Sequence, residues 1–414
     1  MGYHTEQLSK AAAMSEANPL CLFWEGFEPA GWSERPDGTL LLRLSACPAT
    51  RPRCGGCRRP VAIVHEHGRR WIRERDLIDR RLWLDVPVRR LRCGHCGIRT
   101  EHIPWLAGRR ALTAALARHA ETLARLWPIR QVADLLGLHW HTVKALDAAR
   151  LERELLTPDR SRVRRLIMDE FALHKGHRYA TVVACAETRQ VLWIGEGRSR
   201  AAIRPFFEWL GSACDRIEAV AMDMNTAFDL EVAAQCPNAV VVYDRFHVIA
   251  KFGREVIDRV RVDQANAVGK DRGARRAVKR GRWLLLRNRQ HLNTRQAIRL
   301  DELLAANAPL MQVYLLKTQL KELWFAPTVA EARQRWTDWY QLAMETGLAP
   351  VIRFANTLKR YVEGIVASVH YRLNTSVLEG MNNRIKVLKR MAYGYRDSAY
   401  FFLKIRDAFP GNAR

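Results

Sequence analysis

Three aspartates close apolar runs and four cysteines stand in two short pairs. These are the residues whose types and spacing can do chemistry. Arg165-Leu-Ile-Met-Asp169, Ile217-Glu-Ala-Val-Ala-Met-Asp223 and the run Ala239–Tyr243 followed by Asp244 each lead into a carboxylate. Converging carboxylates hold hard divalent cations through oxygen, and Mg²⁺ or Mn²⁺ suits such a set better than zinc does. Cys54-Gly-Gly-Cys57 and Cys93-Gly-His-Cys96 form the complementary soft set, two knuckles of thiolates that together match one tetrahedral structural Zn²⁺. Glycine in each knuckle allows the left-handed backbone such a turn favours. Unligated cysteines are the competing reading. His65, His67 and His95 are weaker substitute ligands, while Cys21 and Cys47 have no paired neighbour and read as buried apolar residues.

The elements that must position the aspartates follow from the change of period after Arg164. Runs at 165–169, 179–184 and 191–194 read as strands, 201–214 as an amphipathic helix with Ile203, Phe206, Phe207 and Leu210 on one face, and 217–223 as a strand. A helix over 226–235 and a strand over 239–243 complete the order β-β-β-α-β-α-β. That is the layout of the RNase H fold, whose first and fourth strands lie side by side, so Asp169 and Asp223, each closing its strand, meet at one sheet edge. With a third carboxylate from a later helix they can clamp two divalent ions ~3.5–4 Å apart, the separation used for in-line phosphoryl displacement. Glu379 is the candidate. In the predicted helix Asn374–Met391, Glu379, Asn382, Asn383, Lys386 and Arg390 share one face, and Val377, Met381, Ile385, Leu388 and Met391 the other. A plain basic surface helix with an incidental glutamate fits the same pattern. Glu170 points away if Asp169 points in. Asp244 ends the strand beyond Asp223 and is expected to support the site or touch substrate. His247 is placed to donate to it, although a structural histidine fits equally well.

The 414 residues carry 68 Lys and Arg against 43 Asp and Glu, a formal net charge of +25. So basic a chain expects a polyanionic partner, nucleic acid first, although a ribosome-associated or membrane-surface factor shares the signature. No apolar run of about 20 residues suggests a membrane span, and Met1–Glu16 lacks the apolar core of a signal peptide, so a cytoplasmic protein is expected. Residues 131–146 fit a helix-turn-helix: Ala133 at the crossing, Gly137 at the turn, and Val143 and Leu146 locking onto Val132 and Leu136. The second helix would then offer His139, His141, Thr142 and Lys144 to a DNA groove; an ordinary helical hairpin is the alternative. The expected organisation is a multidomain α/β chain. Residues 1–45 form a packing segment, 46–110 the zinc-ribbon module around strands Val61–Val64 and Leu82–Val88, and 111–160 the helix-turn-helix. Residues 162–250 begin the RNase H-like core. An all-α insertion follows over 251–365, with a basic stripe of Arg275, Arg276, Lys279, Arg280 and Arg282, and 366–410 complete the core with the catalytic helix.

Along nearly its full length the chain resembles the ISL-three family of bacterial insertion-sequence transposases. The resemblance rests on the double Cys-x-x-Cys, Met168-Asp-Glu-Phe-Ala172, Val220-Ala-Met-Asp-Met224, Val242-Tyr-Asp-Arg-Phe-His-Val248, Arg282-Trp-Leu-Leu-Leu286 and the stretch from Asn374 to Tyr395. It implies a DDE-type DNA transposase that binds terminal inverted repeats, cuts DNA ends and joins them to target DNA, working as a homodimer or higher oligomer because two ends must be paired. The family's acidic triad then falls on Asp169, Asp223 and Glu379. A DNA-binding regulator on the same fold and a structure-specific nuclease such as a junction resolvase are the competing functions. The complete triad counts against the first, the sequence-reading N-terminal modules against the second.

Overall fold

The computed structural model describes residues 23–174, 178–269, 271–373 and 376–411, the side chains of 376–379 lying outside the described part together with Cys21 and Asn374. The chain divides into two units, one ending at Arg150 and the other beginning at Leu151.

Six strands build the first unit: β1 (Phe27–Glu34), β2 (Leu40–Ala46), β3 (Arg53–Cys54), β4 (Val64–Arg73), β5 (Leu82–Cys93) and β6 (Gly97–His102), in the order β1-β2-β5-β6-β3 with β4 also paired to β5. Alternation along β5 drives Leu82, Leu84, Val86 and Val88 into a core shared with Leu44 and Ile72. β2 lies parallel to β5. The expected break at 45/46 therefore falls inside a strand, and what was expected as a separate packing segment is part of the sheet that carries the cysteines. The strand expected over Val61–Val64 begins only at Val64 and continues to Arg73, because it pairs with β5 along most of its length. Three helices follow: α1 (Ala114–Leu126), whose N-cap Thr113 accepts from the Leu116 N–H, α2 (Ile129–Leu136) and α3 (Trp140–Glu154).

The second unit holds β7 (Arg165–His174), β8 (Arg178–Cys185), β9 (Val191–Glu196), α4 (Arg200–Leu210), β10 (Ala219–Met222), α5 (Thr226–Gln235) and β11 (Val240–Tyr243). The sheet order is β11-β10-β7-β8-β9, with β7, β8 and β9 antiparallel and β10 parallel to both β7 and β11. The helix expected to reach Cys214 stops at Leu210, where Gly211 turns to φ +57°, and continues as 3₁₀ turns. A helical series follows: α6 (Arg245–Phe252), a π-helical turn at Gly253–Ile257, α7 (Asp258–Ala267), α8 (Arg272–Arg280), α9 (Arg282–Leu286) and α10 (Thr294–Ala305). It continues through α11 (Ala308–Glu322), α12 (Val329–Glu345), α13 (Ala349–Leu358), α14 (Val362–Tyr371), α15 (Ser376–Met391) and α16 (Ser398–Ala408).

The sheet is covered on both faces. Ile203, Phe206, Phe207, Phe228 and Val232 of α4 and α5 pack on one; Met381 and Ile385 of α15 and Phe401 and Ile405 of α16 pack on the other. Leu388 is half-buried as the face pattern requires, but Met391, the last residue of α15 and expected on the same apolar face, is exposed. The all-α segment is not self-contained. Its core includes Tyr243 and Val248, and the expected boundaries at 250/251 and 365/366 fall inside α6 and α14. α14 lies on β11 so closely that a Cβ on Gly364 would sit 2.5 Å from the Tyr243 ring. Among the described residues no helix is long and apolar enough to cross a membrane.

Candidate active site and metal centre

Strand register puts the three aspartates in one row. β10 pairs with β7 as Ala219↔Arg165 and Ala221↔Ile167, and with β11 as Met222↔Tyr243. Continuing both registers sets Asp223 beside Asp169 and Asp244 beside Asp223. Adjacent parallel strands lie about 4.8 Å apart and equivalent residues face the same side. Contrary to the sequence expectation, Asp169 does not close its strand; β7 runs on to His174 because β8 keeps pairing with it beyond Asp169, while β10 stops at Met222.

Local hydrogen bonds fix each carboxylate. Asp169 Oδ1 accepts from the Glu170 N–H at 2.7 Å, Asp223 Oδ1 from the Met224 N–H at 2.6 Å, and Asp244 caps α6 by accepting from the Phe246 N–H at 2.9 Å. Asn382 reaches from α15 and donates its amide to Asp169 Oδ2. His247 lies with Nδ1 2.9 Å from Asp223 Oδ2 and Nε2 3.8 Å from Asp244 Oδ2. The sequence paired it with Asp244; one turn into α6, the ring instead swings over the end of β10 and takes Asp223 as its closer partner. Burial works against a charged imidazole here, but the Asp223 carboxylate overrides it and lifts His247 to about 9. The same pairing holds Asp223 below the usual carboxylate range in spite of its burial. Asp169 moves the other way, its carboxyl pushed up chiefly by desolvation.

These groups line a cavity of about 860 Å³ that also receives Asn383 and Lys386. The structure thus brings together Asp169, Asp223, Asp244, His247, Asn382, Asn383 and Lys386. Arg390 is exposed farther along α15 and is not among the lining residues. Glu379 belongs to α15, but its carboxylate lies outside the described part. Glu170, expected to face away, also lines the cavity; it bends toward Asn225 and Arg198, which hold its carboxylate at 3.3 and 3.4 Å. The carbonyl oxygen of Asn382 is buried with no hydrogen-bond partner. An orphaned acceptor beside two converging carboxylates is the donor set a hard divalent cation takes.

The second candidate centre is the cysteine cluster. The Sγ atoms of Cys54, Cys57, Cys93 and Cys96 all lie within 4.8 Å of one another, and those of Cys57 and Cys93 are 3.6 Å apart. A thiolate tetrahedron with metal–sulfur bonds of about 2.3 Å has edges of about 3.8 Å. Backbone N–H groups of Cys57 and Gly56 draw the Cys54 thiol down to about 7, while its neighbour Cys57, burial and Cys54 push Cys96 up to about 11. The glycines serve a different purpose from the one expected. Positive φ falls on Arg58 and Gly97, just past each pair. Gly55 and Gly56 are needed because a Cβ would meet the Thr100 carbonyl at 2.3 Å and Cys96 Sγ at 3.0 Å. Among the described residues no histidine joins this cluster; His95 pairs with Arg59 instead.

In the α2–α3 pair, Gly137 takes φ +59° and ends α2, while Val132, Ala133, Leu136, Val143 and Leu146 are buried together as the pattern required. His139 precedes α3 rather than lying on it. Its ring accepts from the His141 N–H at 3.3 Å, and it stacks on His141 with centroids 5.2 Å apart. His139 and His141 are exposed, Thr142 is half-buried, and the Lys144 ammonium lies 5.6 Å from the Trp140 ring centroid.

A family model for DDE transposases of the ISL3 type, described as a transposase, matches residues 166–405, the stretch from β7 into α16 that carries the aspartate row. The chain belongs to the ISL3 family of transposases. It is 52% identical, over 94% of its own length and 97% of the relative's, to the transposase for insertion sequence element IS1001 of Bordetella parapertussis. It is 27% identical to the transposase for IS1557 of Mycobacterium tuberculosis, over 86% of this chain and 85% of that one. Among solved structures, the Drosophila P element transposase strand transfer complex aligns with 73% of this chain and 92% of that one. At 10% identity and a TM-score of 0.36, that likeness carries no argument.

The transposase's cavity around the aspartate row has further walls that the sequence did not signal. Trp324 and Phe325 come from the 3₁₀ turn that follows α11, and the Trp324 indole N–H donates to the Tyr243 carbonyl at 3.2 Å, tying the helical segment to β11. Arg372 lines the cavity from the end of α14 in a left-handed conformation, φ +34°, unusual for a residue other than glycine. Trp324-Phe325 stand out in the sequence as adjacent aromatics, but nothing in it places them at this cavity.

Proposed function

We propose that this transposase binds the terminal inverted repeats of an insertion sequence, cleaves DNA at the element ends and joins them to target DNA. Asp169, Asp223 and Glu379 serve as ligands for two Mg²⁺ or Mn²⁺ ions. The observation that carries the reading is the register of β7 and β10, which makes Asp169 and Asp223 neighbours in a cavity where α15 also contributes. The strand order β11-β10-β7-β8-β9 supports an RNase H-like core, completed by α15, with the α6–α14 segment inserted into it. When bound, the two ions supply activation of the attacking oxygen and stabilisation of the leaving oxygen at the scissile phosphate. The chain's own residues orient that phosphate. Lys386 and Asn383 offer a cation and an amide from the α15 face, Arg390 extends the basic track, and the Asn382 carbonyl is free to turn toward an ion. Asp244 holds His247, and His247 fixes the rotamer of Asp223.

In the first unit the reading is a zinc ribbon held by Cys54, Cys57, Cys93 and Cys96 beside a helix-turn-helix. That helix-turn-helix recognises the repeats through His139, His141, Thr142 and Lys144. A dimer or larger assembly follows from the need to pair two ends. The test is cleavage of labelled element ends by Asp223→Asn and Glu379→Gln proteins. Both should lose Mg²⁺-dependent cleavage and keep repeat binding; cleavage retained by Asp223→Ala overturns the metal assignment. Equal cutting of any branched DNA would favour a structure-specific nuclease.

A further inference from the structure

We propose that a second cavity, next to the catalytic one, holds an unpaired stretch of single-stranded DNA by stacking its bases on Phe246, Trp283 and Phe325. This rests on the transposase reading given above. The cavity measures about 1430 Å³ and is walled by α6, the π-helical turn, α9 and α11. It shares Arg245, Phe246 and Phe325 with the catalytic cavity, so a strand leaving the scissile phosphate has a continuous path into it.

Three observations point to this occupant. First, the residues Phe246, Trp283 and Phe325 are 59%, 64% and 61% exposed, and all three border the one cavity. Large rings left this open in one place signal a contact surface rather than scattered surface residues. Second, cations already sit against two of the rings. The Arg245 guanidinium is 4.8 Å from the Phe325 centroid and that of Arg282 is 5.1 Å from the Trp283 centroid. Third, five cations border the cavity against one acid, Glu322. Asp258 and Asp301 pair with Arg282 and Arg289, which leaves Arg245, Arg254 and Lys321 against Glu322, an excess of two positive charges.

A polymer that is anionic along its backbone and offers flat π-faces satisfies both the rings and the cations. Duplex DNA hides its base faces, and an acidic peptide has none to stack. The volume exceeds the roughly 300–1,000 Å³ that a small ligand fills, so it accommodates more than one nucleotide. The wall is also braced. Lys317, buried beneath α9, donates to the carbonyls of Leu285 and Arg287 and fixes the end of the helix that presents Trp283.

The experiment is fluorescence anisotropy with full-length protein and no added Mg²⁺. It compares a labelled oligo(dT) of roughly 12 nucleotides with a duplex of equal length. Trp283→Ala should weaken oligo(dT) binding by about 5- to 150-fold, the range expected for one lost stacking platform, with duplex affinity changed less than about twofold. Phe325→Ala should behave alike, and Trp283→Phe should restore most of the affinity. Oligo(dT) binding equal to wild type in both alanine variants, parallel loss for both probes, or no binding by the wild type overturns the proposal. Wild-type protein that never cleaves element ends, yet whose Trp283→Ala variant loses oligo(dT), would sink the transposition chemistry and leave this site standing. Normal cleavage with an unaffected Trp283→Ala variant would sink this site alone.

Discussion

Replacing His247 by glutamine should change how the stability of the metal-free transposase depends on pH. The ring is 2.9 Å from Asp223 and 3.8 Å from Asp244, and its affinity for a proton rises from an ordinary 6.5 to about 9. At 1.36 kcal/mol per unit this corresponds to about 3 kcal/mol. The 38% exposure of the Asp223 side chain screens part of the attraction, leaving about 2 kcal/mol. Because the folded value lies above the unfolded one, the contribution is complete below pH 6.5 and is lost as pH climbs through 9. Denaturation of wild type and His247→Gln at pH 6 and again at pH 9.5 should give a stability difference about 2 kcal/mol larger at the lower pH. A histidine Cε1 resonance that titrates near 9 in wild type and is missing from the variant would identify the group directly. A wild-type-minus-variant difference that stays constant between the two pH values, or grows with pH, would refute the ion-pair argument.

Treatment with a chelator, or changing Cys57 to Ser, should release close to one equivalent of zinc and unfold the strands around the knuckles; a zinc-free preparation with an unchanged circular dichroism spectrum and melting curve would count against the zinc assignment. Gly364→Ala should cost about 1–3 kcal/mol, measured by urea denaturation, because its Cβ would meet the Tyr243 ring at 2.5 Å and the Val241 carbonyl at 2.9 Å. Lys317, 1% exposed and lowered by burial to about 7, gives the opposite pH trend to His247. Measured against Lys317→Met, wild-type stability should rise between pH 7 and the ordinary lysine value of 10.5, and a fall over that window would contradict the burial argument.

The aspartates were legible because each follows an apolar run, and a strand's final residues carry their side chains to a predictable place. Asn382, Asn383 and Lys386 were legible because helical spacing alone sets which residues share a face, and Met381 and Ile385 marked the opposite one. Features that depend on distant pairing were not. Asp169 looked terminal because its apolar run ends there, yet β8 continues the ladder beyond it, which only the partner strand could reveal. The parallel pairing of β2 with β5 joins segments separated by two other strands, so residues before Ala46 looked detached from the cysteine sheet. Trp324, Phe325 and Arg372 reach the cavity through the packing of helices on one another, a relation that no local pattern encodes. The knuckle glycines were expected for their backbone freedom; the actual demand is room beside Thr100 and Cys96, a contact across strands.

The arrangement of charge gives a reason to expect a cation beyond the identity of the ligands. Carboxylates carried on neighbouring strands about 4.8 Å apart repel by about 3 kcal/mol per adjacent pair at an effective dielectric near 20. Asp169, Asp223 and Asp244 form two such pairs, and Asp169 is only 7% exposed, so water relieves little of its charge. Among the described residues the cation in contact with them is His247, which lies against Asp223 and Asp244 and attracts Asp169 through space, while Lys251 adds to the positive potential at Asp223. Asp169 is hydrogen-bonded only by an amide from Asn382 and a backbone N–H from Glu170, neither of which carries a full charge, and feels the His247 charge through space. The negative potential between Asp169 and Asp223 is therefore only partly compensated, and the unpartnered Asn382 side-chain oxygen adds to it. A divalent ion entering there relieves the repulsion that one imidazolium leaves among three carboxylates. Its binding should therefore tighten when Asp169 is fully ionised, and weaken as pH falls toward the raised value of that carboxyl.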